Sequence, residues 1–206
     1  MSRINKKKLK QQSYKKSKKK SRKTLIWTLI LVGLMVASGF GIMLSSYSNG
    51  MEKKPYGDTM LKKGPQGWIL EREAANYVFT YHPEELEGLE MPKGTANMLK
   101  TAKFVYITFD PETRHIQAIE EARFAMMDYL SHEFYPIAGI VKEDEQYNLP
   151  IIDCVNATTM IPVVKLVVGE NTSITQEGDC VVATATPSEL RPMAERIIYS
   201  ILGVMQ

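Results

Sequence analysis

The stretch DCVNATTMIPVVKLVVGE, residues 153–170, holds the clearest fold signal and one of the two cysteines. Its run of β-branched residues predicts a strand over residues 162–168, which ends at the turn-forming Gly169. Cys154 lies before that strand, across a short polar run. The stretch therefore raises the question of whether Cys154 is a reactive thiol or half of a structural bridge.

Apolar runs on both sides of this stretch predict an α/β domain. FVYITF at residues 104–109 is apolar on both faces, which is typical of a central strand covered on both sides. Long amphipathic segments alternate with such runs and favour a mixed sheet packed against helices. The predicted strands cover residues 68–70 and 76–81 (a hairpin), 104–109, 137–141, 149–154, 162–168 and 180–185, and the predicted helices cover residues 113–131 and 187–202.

Three segments resemble the C-terminal half of thioredoxin-like domains: FVYITFDP from residue 104, MIPVVKLVVGE from residue 160 and TPSELRPMAERIIYSIL from residue 186. The resemblance covers residues 104–203. It implies a cis Pro162 at the start of a strand, then an edge strand, then a helix that covers the sheet. The family's redox cysteine pair is missing, because residues 110–115 read DPETRH, so the resemblance implies a degenerate, redox-inactive copy.

Charge is distributed very unevenly along the chain. Residues 1–23 hold 12 of the 26 Lys and Arg and no acidic residue, which leaves 14 basic residues against 23 acidic ones in the remainder. The net charge of +3 therefore combines a basic tail with an acidic domain. We expect the tail to contact anionic lipid headgroups, and we expect no nucleic-acid partner.

A long uncharged run follows the tail. Residues 25–44, LIWTLILVGLMVASGFGIML, carry no charge and as a helix would span about 30 Å, the thickness of a bilayer core. The sequence therefore predicts one transmembrane helix within residues 24–46. The preceding positive charge places the tail in the cytoplasm and the later residues outside, in a single-pass protein of the cell membrane.

Two further interpretations apply to the same run. It could instead be the core of a cleaved signal peptide, with small residues 37–39 at the cleavage site. If it is retained, Gly33, Ala37 and Gly41 share one helix face and favour close packing of two such helices in a homodimer. Residues 47–67, rich in Gly, Pro, Ser and Lys, are predicted to be a stalk, and residues 68–206 to form the outer domain.

The two cysteines and two sequons mark candidate modification sites. Cys154 and Cys180, in a compartment that permits disulfides, favour a structural bridge, although two buried thiols or one reactive thiol fit the same sequence. Asn156 and Asn171 each begin an N-glycosylation pattern, and both are also ordinary turn residues.

Catalytic candidates are few. Asp110 ends a predicted strand and His115 lies one helical turn later, so the pair could perform acid–base chemistry. A nucleophile motif, an oxyanion signature and a phosphate loop are all missing, and an Asp-Pro pair after a strand is often only a turn. The histidines are scattered without metal-ligand spacing, and no metal or cofactor is predicted.

These observations predict a membrane-anchored, non-catalytic module outside the cytoplasm that binds or assembles with a protein partner. The alternative is a thiol or disulfide oxidoreductase that uses Cys154 near Pro162. A third hypothesis is a lipid- or peptide-binding module with an apolar cleft lined by Phe124, Met126 and Met127.

Overall fold

The computed structural model describes residues 26–36, 52–73 and 75–206. The chain divides into two units, residues 1–50 and residues 51–206. The basic tail at residues 1–23, as well as Ala37 and Gly41, lies outside the described residues.

Within the first unit the structure describes residues 26–36, which are helical (α1). Among the residues that the structure describes, no helix has both the length and the apolar character needed to cross a membrane. The predicted transmembrane helix within residues 24–46 is therefore wrong for the described part of the chain. The helix packing predicted at Gly33, Ala37 and Gly41 stays a prediction.

The second unit begins with a four-stranded antiparallel sheet in the order β1-β2-β3-β4. The predicted hairpin over residues 68–70 and 76–81 is confirmed as β3 and β4. The segment predicted as a stalk, residues 47–67, differs from expectation, because two-residue turns after Tyr56 and Gly64 fold it into β1 and β2. The strands are Lys53–Tyr56 (β1), Thr59–Gly64 (β2), Gly67–Glu71 (β3) and Asn76–Phe79 (β4).

A five-stranded mixed sheet follows, in the order β6-β5-β7-β9-β8. Neighbouring strands run parallel except at β8, which is antiparallel to β9 and forms one edge. The predicted mixed α/β sheet is confirmed, and the edge strand follows Gly169 as the resemblance implied. The strands are Phe104–Phe109 (β5), Tyr135–Ile140 (β6), Val163–Val168 (β7), Ser173–Glu177 (β8) and Cys180–Ala185 (β9).

Two helices lie between the two sheets, Ile116–Leu130 (α3) and Leu190–Ile201 (α4), and a shorter helix, Thr95–Thr101 (α2), packs on α4. Helix α3 packs on β5, β6 and β7, α4 packs on β9, and the two helices pack on each other. From the other side, the Phe79 ring of β4 stacks on Tyr199 at 3.8 Å and on Tyr129 at 4.9 Å. Since both sheets bury side chains against it, α4 is buried on almost every side.

Charged residues on α4 are buried with partners. The Glu195 carboxylate accepts hydrogen bonds from the backbone N–H groups of Thr80 and Tyr81, both at 3.0 Å, and from Arg191 Nε at 2.8 Å. Arg196 donates to the carbonyl oxygen of Leu89 at 2.9 Å. These bonds offset the cost of burying the charges and tie α4 to the chain that leaves β4.

Three local predictions differ from the structure. Helix α4 begins at Leu190 rather than at residue 187, so Pro192 lies in the first turn, where its missing N–H removes no helical bond. The strand predicted over residues 149–154 is absent from the described chain except for one bridge between Ile140 and Ile151. The described residues also contain no cis peptide bond, so the cis Pro162 implied by the resemblance is not present.

Candidate functional site

One face of the five-stranded sheet is covered by helices, and the other face is only partly covered: Thr108 of β5 and Val163 of β7 are fully buried on it, whereas Tyr106 of β5 is partly exposed. On β7, Val164 and Leu166 face the helices and are fully buried. Lys165 and Val167 lie on the opposite face of the strand and are partly exposed. On β5, Phe104 at the start of the strand is 42% exposed. The predicted cover on both faces of residues 104–109 is therefore confirmed at Thr108, which is fully buried, and absent at Phe104. Parallel sheets are normally covered on both faces, so a partly open face is unusual.

The loop at residues 149–162, the disulfide loop, covers part of this open face. It is fastened to three neighbouring strands. Thr108 Oγ1 of β5 donates to the carbonyl oxygen of Ile152 at 2.7 Å, Lys165 Nζ of β7 lies 2.7 Å from Asp153 Oδ1, and Cys154 is bonded to Cys180 of β9. The loop is thus held against the sheet across β5, β7 and β9.

A cleft of about 600 Å³ opens at the carboxyl ends of β5 and β7, beside the disulfide loop. This edge is where ligand sites gather in open α/β sheets, because the loops that leave parallel strands meet there. Its charged lining residues include Asp110, Asp153 and Lys165, and its apolar lining residues include Val155, Val167 and Val182.

Asp153 is held in the ionised form. Its Oδ1 accepts a hydrogen bond from the Cys154 N–H at 2.7 Å, which caps a 3₁₀ helix at Cys154–Asn156, and it also accepts one from Lys165 Nζ. Burial opposes ionisation, but the Lys165 ammonium and the Cys154 N–H outweigh it and lower the pKa of Asp153. The carboxylate and the ammonium therefore satisfy each other within the cleft.

Asp110 is held in the same way. Its Oδ1 accepts the Glu112 N–H at 2.9 Å and lies 3.1 Å from Lys142 Nζ. Burial again opposes ionisation, and these partners outweigh it, so the pKa of Asp110 lies below its usual value. In the described chain no hydrogen bond or ion pair joins Asp110 to His115, which is exposed at the start of α3. The structure thus places Asp110 in a capped turn rather than in an acid–base pair.

The predicted bridge between Cys154 and Cys180 is present, with 5.2 Å between the two Cα atoms. Because the chain contains two cysteines in all, neither is a free thiol. Closing a loop over a sequence separation of 26 residues is worth about 3.5 kcal/mol in the chain-entropy model. The bridge keeps the disulfide loop in position over the sheet.

Large apolar side chains project from the disulfide loop into solvent. Val155 is 91% exposed and Met160 is 80% exposed, and Val155 also lines the cleft. Exposed apolar groups on a loop that is fixed at several points mark contact surfaces more often than chance exposure does.

The other predicted residues lie elsewhere or have local partners. Asn156 Oδ1 accepts the Asp153 N–H at 2.9 Å, and Asn171 is exposed before β8. Among Phe124, Met126 and Met127, the first is 61% exposed and the second is fully buried in the core, so they do not line a common cleft. The described residues include no group of three or more His, Cys, Asp or Glu side chains arranged to hold a metal ion.

Lys165 and Asp153 are the cleft residues that the sequence interpretation missed. A lone lysine in VVKLVV interrupts an otherwise apolar strand, so its side chain must either reach solvent or find a carboxylate. That interruption was the available signal that one face of β7 is open.

Comparisons of the chain with protein-family models, with curated proteins and with solved structures found no match.

Proposed function

We propose that the second unit is a non-catalytic module that binds a protein partner through the disulfide loop and the open face of the five-stranded sheet. The observation that carries this proposal is a mostly parallel sheet whose second face, among the residues that the structure describes, is partly covered by a loop fastened to three strands. A sheet of this type requires a cover on both faces, and a partner segment would complete it.

The chemistry of the surface supports a protein partner with apolar side chains. The charged groups Asp153 and Lys165 already satisfy each other, as do Asp110 and Lys142. The contact area left to a partner is then apolar, with Val155 and Met160 as its most exposed side chains. Such groups form the apolar centre of an interface, with the paired charges at its polar rim.

A photo-reactive amino acid placed at residue 155 tests this proposal in the cells that make the protein. We expect a discrete protein adduct from position 155 and none from position 121, because Glu121 is exposed on α3 away from the open face. Excess purified chain should compete the adduct away, whereas excess chain carrying Val155→Asp should not. Adducts at both positions, or adducts that Val155→Asp competes equally well, would contradict the proposal.

A second candidate function rests on the position of the disulfide. Cys180, to which Cys154 is bonded, lies opposite Val163, the residue that follows Pro162, which favours the oxidoreductase alternative. Alkylation of the native protein before and after mild reductant separates the two functions. A bridge that resists reductant supports the binding module, and a Cys154 that is rapidly freed and alkylated supports the oxidoreductase.

A thioredoxin-like ancestry and a location outside the cytoplasm remain parts of the proposal. The mixed sheet and the edge strand β8 support the first. The Cys154–Cys180 bridge supports the second, because disulfides persist mainly in oxidising compartments.

A further inference from the structure

His82 is enclosed at the end of the connection that leaves β4. It is 1% exposed, and its ring lies edge-on to Trp68 at 4.6 Å and 6.2 Å from the ring of Tyr56. Nδ1 accepts the Glu84 N–H at 3.4 Å, while Nε2 makes no hydrogen bond to any described residue. A buried polar atom without a partner is uncommon and calls for an explanation.

The position of His82 joins two parts of the domain. On one side its ring contacts β1 and β3 through Tyr56 and Trp68. On the other side the preceding residues are fixed to α4, because Glu195 holds the N–H groups of Thr80 and Tyr81. A displacement of His82 would therefore loosen β1 and β3 while these bonds to α4 remain.

Charged groups lie close to His82 on β1 and on the 3₁₀ helix that follows His82. From β1, Lys54 Nζ pairs with Glu84 Oε2 at 2.5 Å, and that same oxygen lies 3.9 Å from His82 Nδ1. From the 3₁₀ helix Pro83–Leu86, the Glu85 carboxylate accepts the His82 backbone N–H at 2.8 Å. Further charged groups act through the two rings that contact His82: Glu87 and Arg196 act on Tyr56, and Lys63 Nζ of β2 lies 5.2 Å from the centroid of the Trp68 ring.

We propose that His82 is an acid-sensitive latch: its neutral ring closes the corner between β1, β3 and the 3₁₀ helix, and its protonation opens that corner while the rest of the domain stays folded. A protonated ring carries N–H on both nitrogens, so Nδ1 can no longer accept the Glu84 N–H. Nε2–H would then carry a charge in a pocket where the Lys54 backbone lies nearby but no hydrogen bond of normal geometry to Nε2 is made. Opening to water satisfies both nitrogens.

The direction of the pH effect follows from the burial. Desolvation and the positive charge of Lys54 lower the pKa of His82, and Glu84, the Lys54 backbone and Glu85 offset part of that effect. The open corner therefore binds the proton more tightly than the closed one. The closed corner has its full stability above about pH 6.5, the usual histidine pKa, and loses stability as the pH falls toward the lowered pKa.

Amide hydrogen exchange of the full chain tests the latch at about pH 7.5 and about pH 5.5. After correction for intrinsic rates, we expect protection in β1 and β3 to fall on acidification by up to about tenfold, because pH 5.5 lies about one unit below the usual histidine pKa, with β5 and β7 unchanged. His82→Gln should abolish this loss. His115→Gln, which removes an exposed histidine, should leave the loss intact.

Three results would overturn the latch: no acid-dependent loss in the parent, an equal loss in His82→Gln, or a loss that includes β5 and β7. If His82→Gln does not fold, an NMR titration of the parent's imidazoles decides. Titration of His82 together with faster exchange in β1 and β3 supports the latch, and titration without that change refutes it. The readout needs no partner, so it is independent of the proposed binding function.

Discussion

Glu195 is the residue on which the junction of the two sheets most depends. It is fully buried, and its carboxylate satisfies two backbone N–H groups and Arg191. Glu195→Ala leaves these donors without an acceptor, so we expect the free energy of unfolding to fall by roughly 3–5 kcal/mol. Urea unfolding followed by circular dichroism measures the loss.

Two control variants isolate the cause of that loss. Glu195→Gln keeps one carbonyl acceptor and should lose clearly less stability than Glu195→Ala. Glu121→Ala removes an exposed glutamate from α3 and should change stability by no more than about 0.5 kcal/mol. Equal losses in Glu195→Ala and Glu121→Ala would show that the carboxylate does not hold the junction.

Asp153 is a second single residue that contributes to stability, and its contribution depends on pH. Because Lys165 and the Cys154 N–H outweigh burial and lower its pKa, the folded state binds the proton less tightly than the unfolded state. The contribution is therefore present above the usual pKa of about 3.9 and disappears as the pH falls through the lowered value.

We expect Asp153→Asn to be less stable than the parent near neutral pH, with the difference closing in acid. The side chain is 38% exposed, so screening by solvent keeps the difference below about 1 kcal/mol. Urea unfolding midpoints between neutral pH and about pH 3 measure it. Asp128→Asn, on the exposed surface of α3, controls for the loss of one negative charge. A difference that stays constant with pH would contradict the assignment.

Among the elements, β3 depends on a glycine at its first position. Gly67 has a φ of +145°, and a Cβ there would lie 2.1 Å from the carbonyl oxygen of Phe79 in β4. Gly67→Ala should therefore cost about 2–4 kcal/mol, since both the backbone conformation and the strand contact oppose a side chain. Thermal unfolding measures the cost.

Gly57 supplies the matched control in the neighbouring turn. Its φ is +54°, but an added Cβ would meet nothing within 4 Å. Gly57→Ala should therefore show only the conformational cost of about 1–2 kcal/mol. If Gly67→Ala and Gly57→Ala lose the same stability, the close contact between Phe79 and residue 67 adds nothing to the conformational cost.

The elements also show what the sequence could predict. FVYITF and VVKLVV were recognised as strands, because an apolar β-branched run needs no tertiary context. β1 and β2 were missed, because their sequence is rich in Lys and the fully buried apolar side chain they contribute is Leu61. Such strands are identified by the strands they pair with, because their own sequence shows no apolar periodicity.

At the scale of the whole molecule, the second sheet was the feature that the sequence could not reveal. It buries polar residues of α4, such as Glu195 and Arg196, that a helix covered on one side would leave in solvent. The disulfide was predictable from cysteine count and context. The cleft was not, because the carboxylate and ammonium that line it come together only when the disulfide loop crosses β7.

The layered arrangement also predicts how the domain unfolds. Helix α4 and the central strands β5 and β7 are flanked by other elements. We therefore expect their amides to exchange only through global unfolding. β1 is a short edge strand with a half-exposed burial pattern, so its amides should exchange through local opening.

Removal of the disulfide should separate these two classes of amide. A Cys154→Ser, Cys180→Ser double variant loses about 3.5 kcal/mol in the chain-entropy model, which corresponds to exchange faster by roughly 10²–10³-fold in α4, β5 and β7. Local opening of β1 does not change the length of any closed loop, so its amides should keep their rates. Native-state hydrogen exchange measures both classes in one sample. If β1 accelerates as much as α4 does, the domain opens as one unit, and the bridge then stabilises the four-stranded sheet as strongly as the sheet it joins.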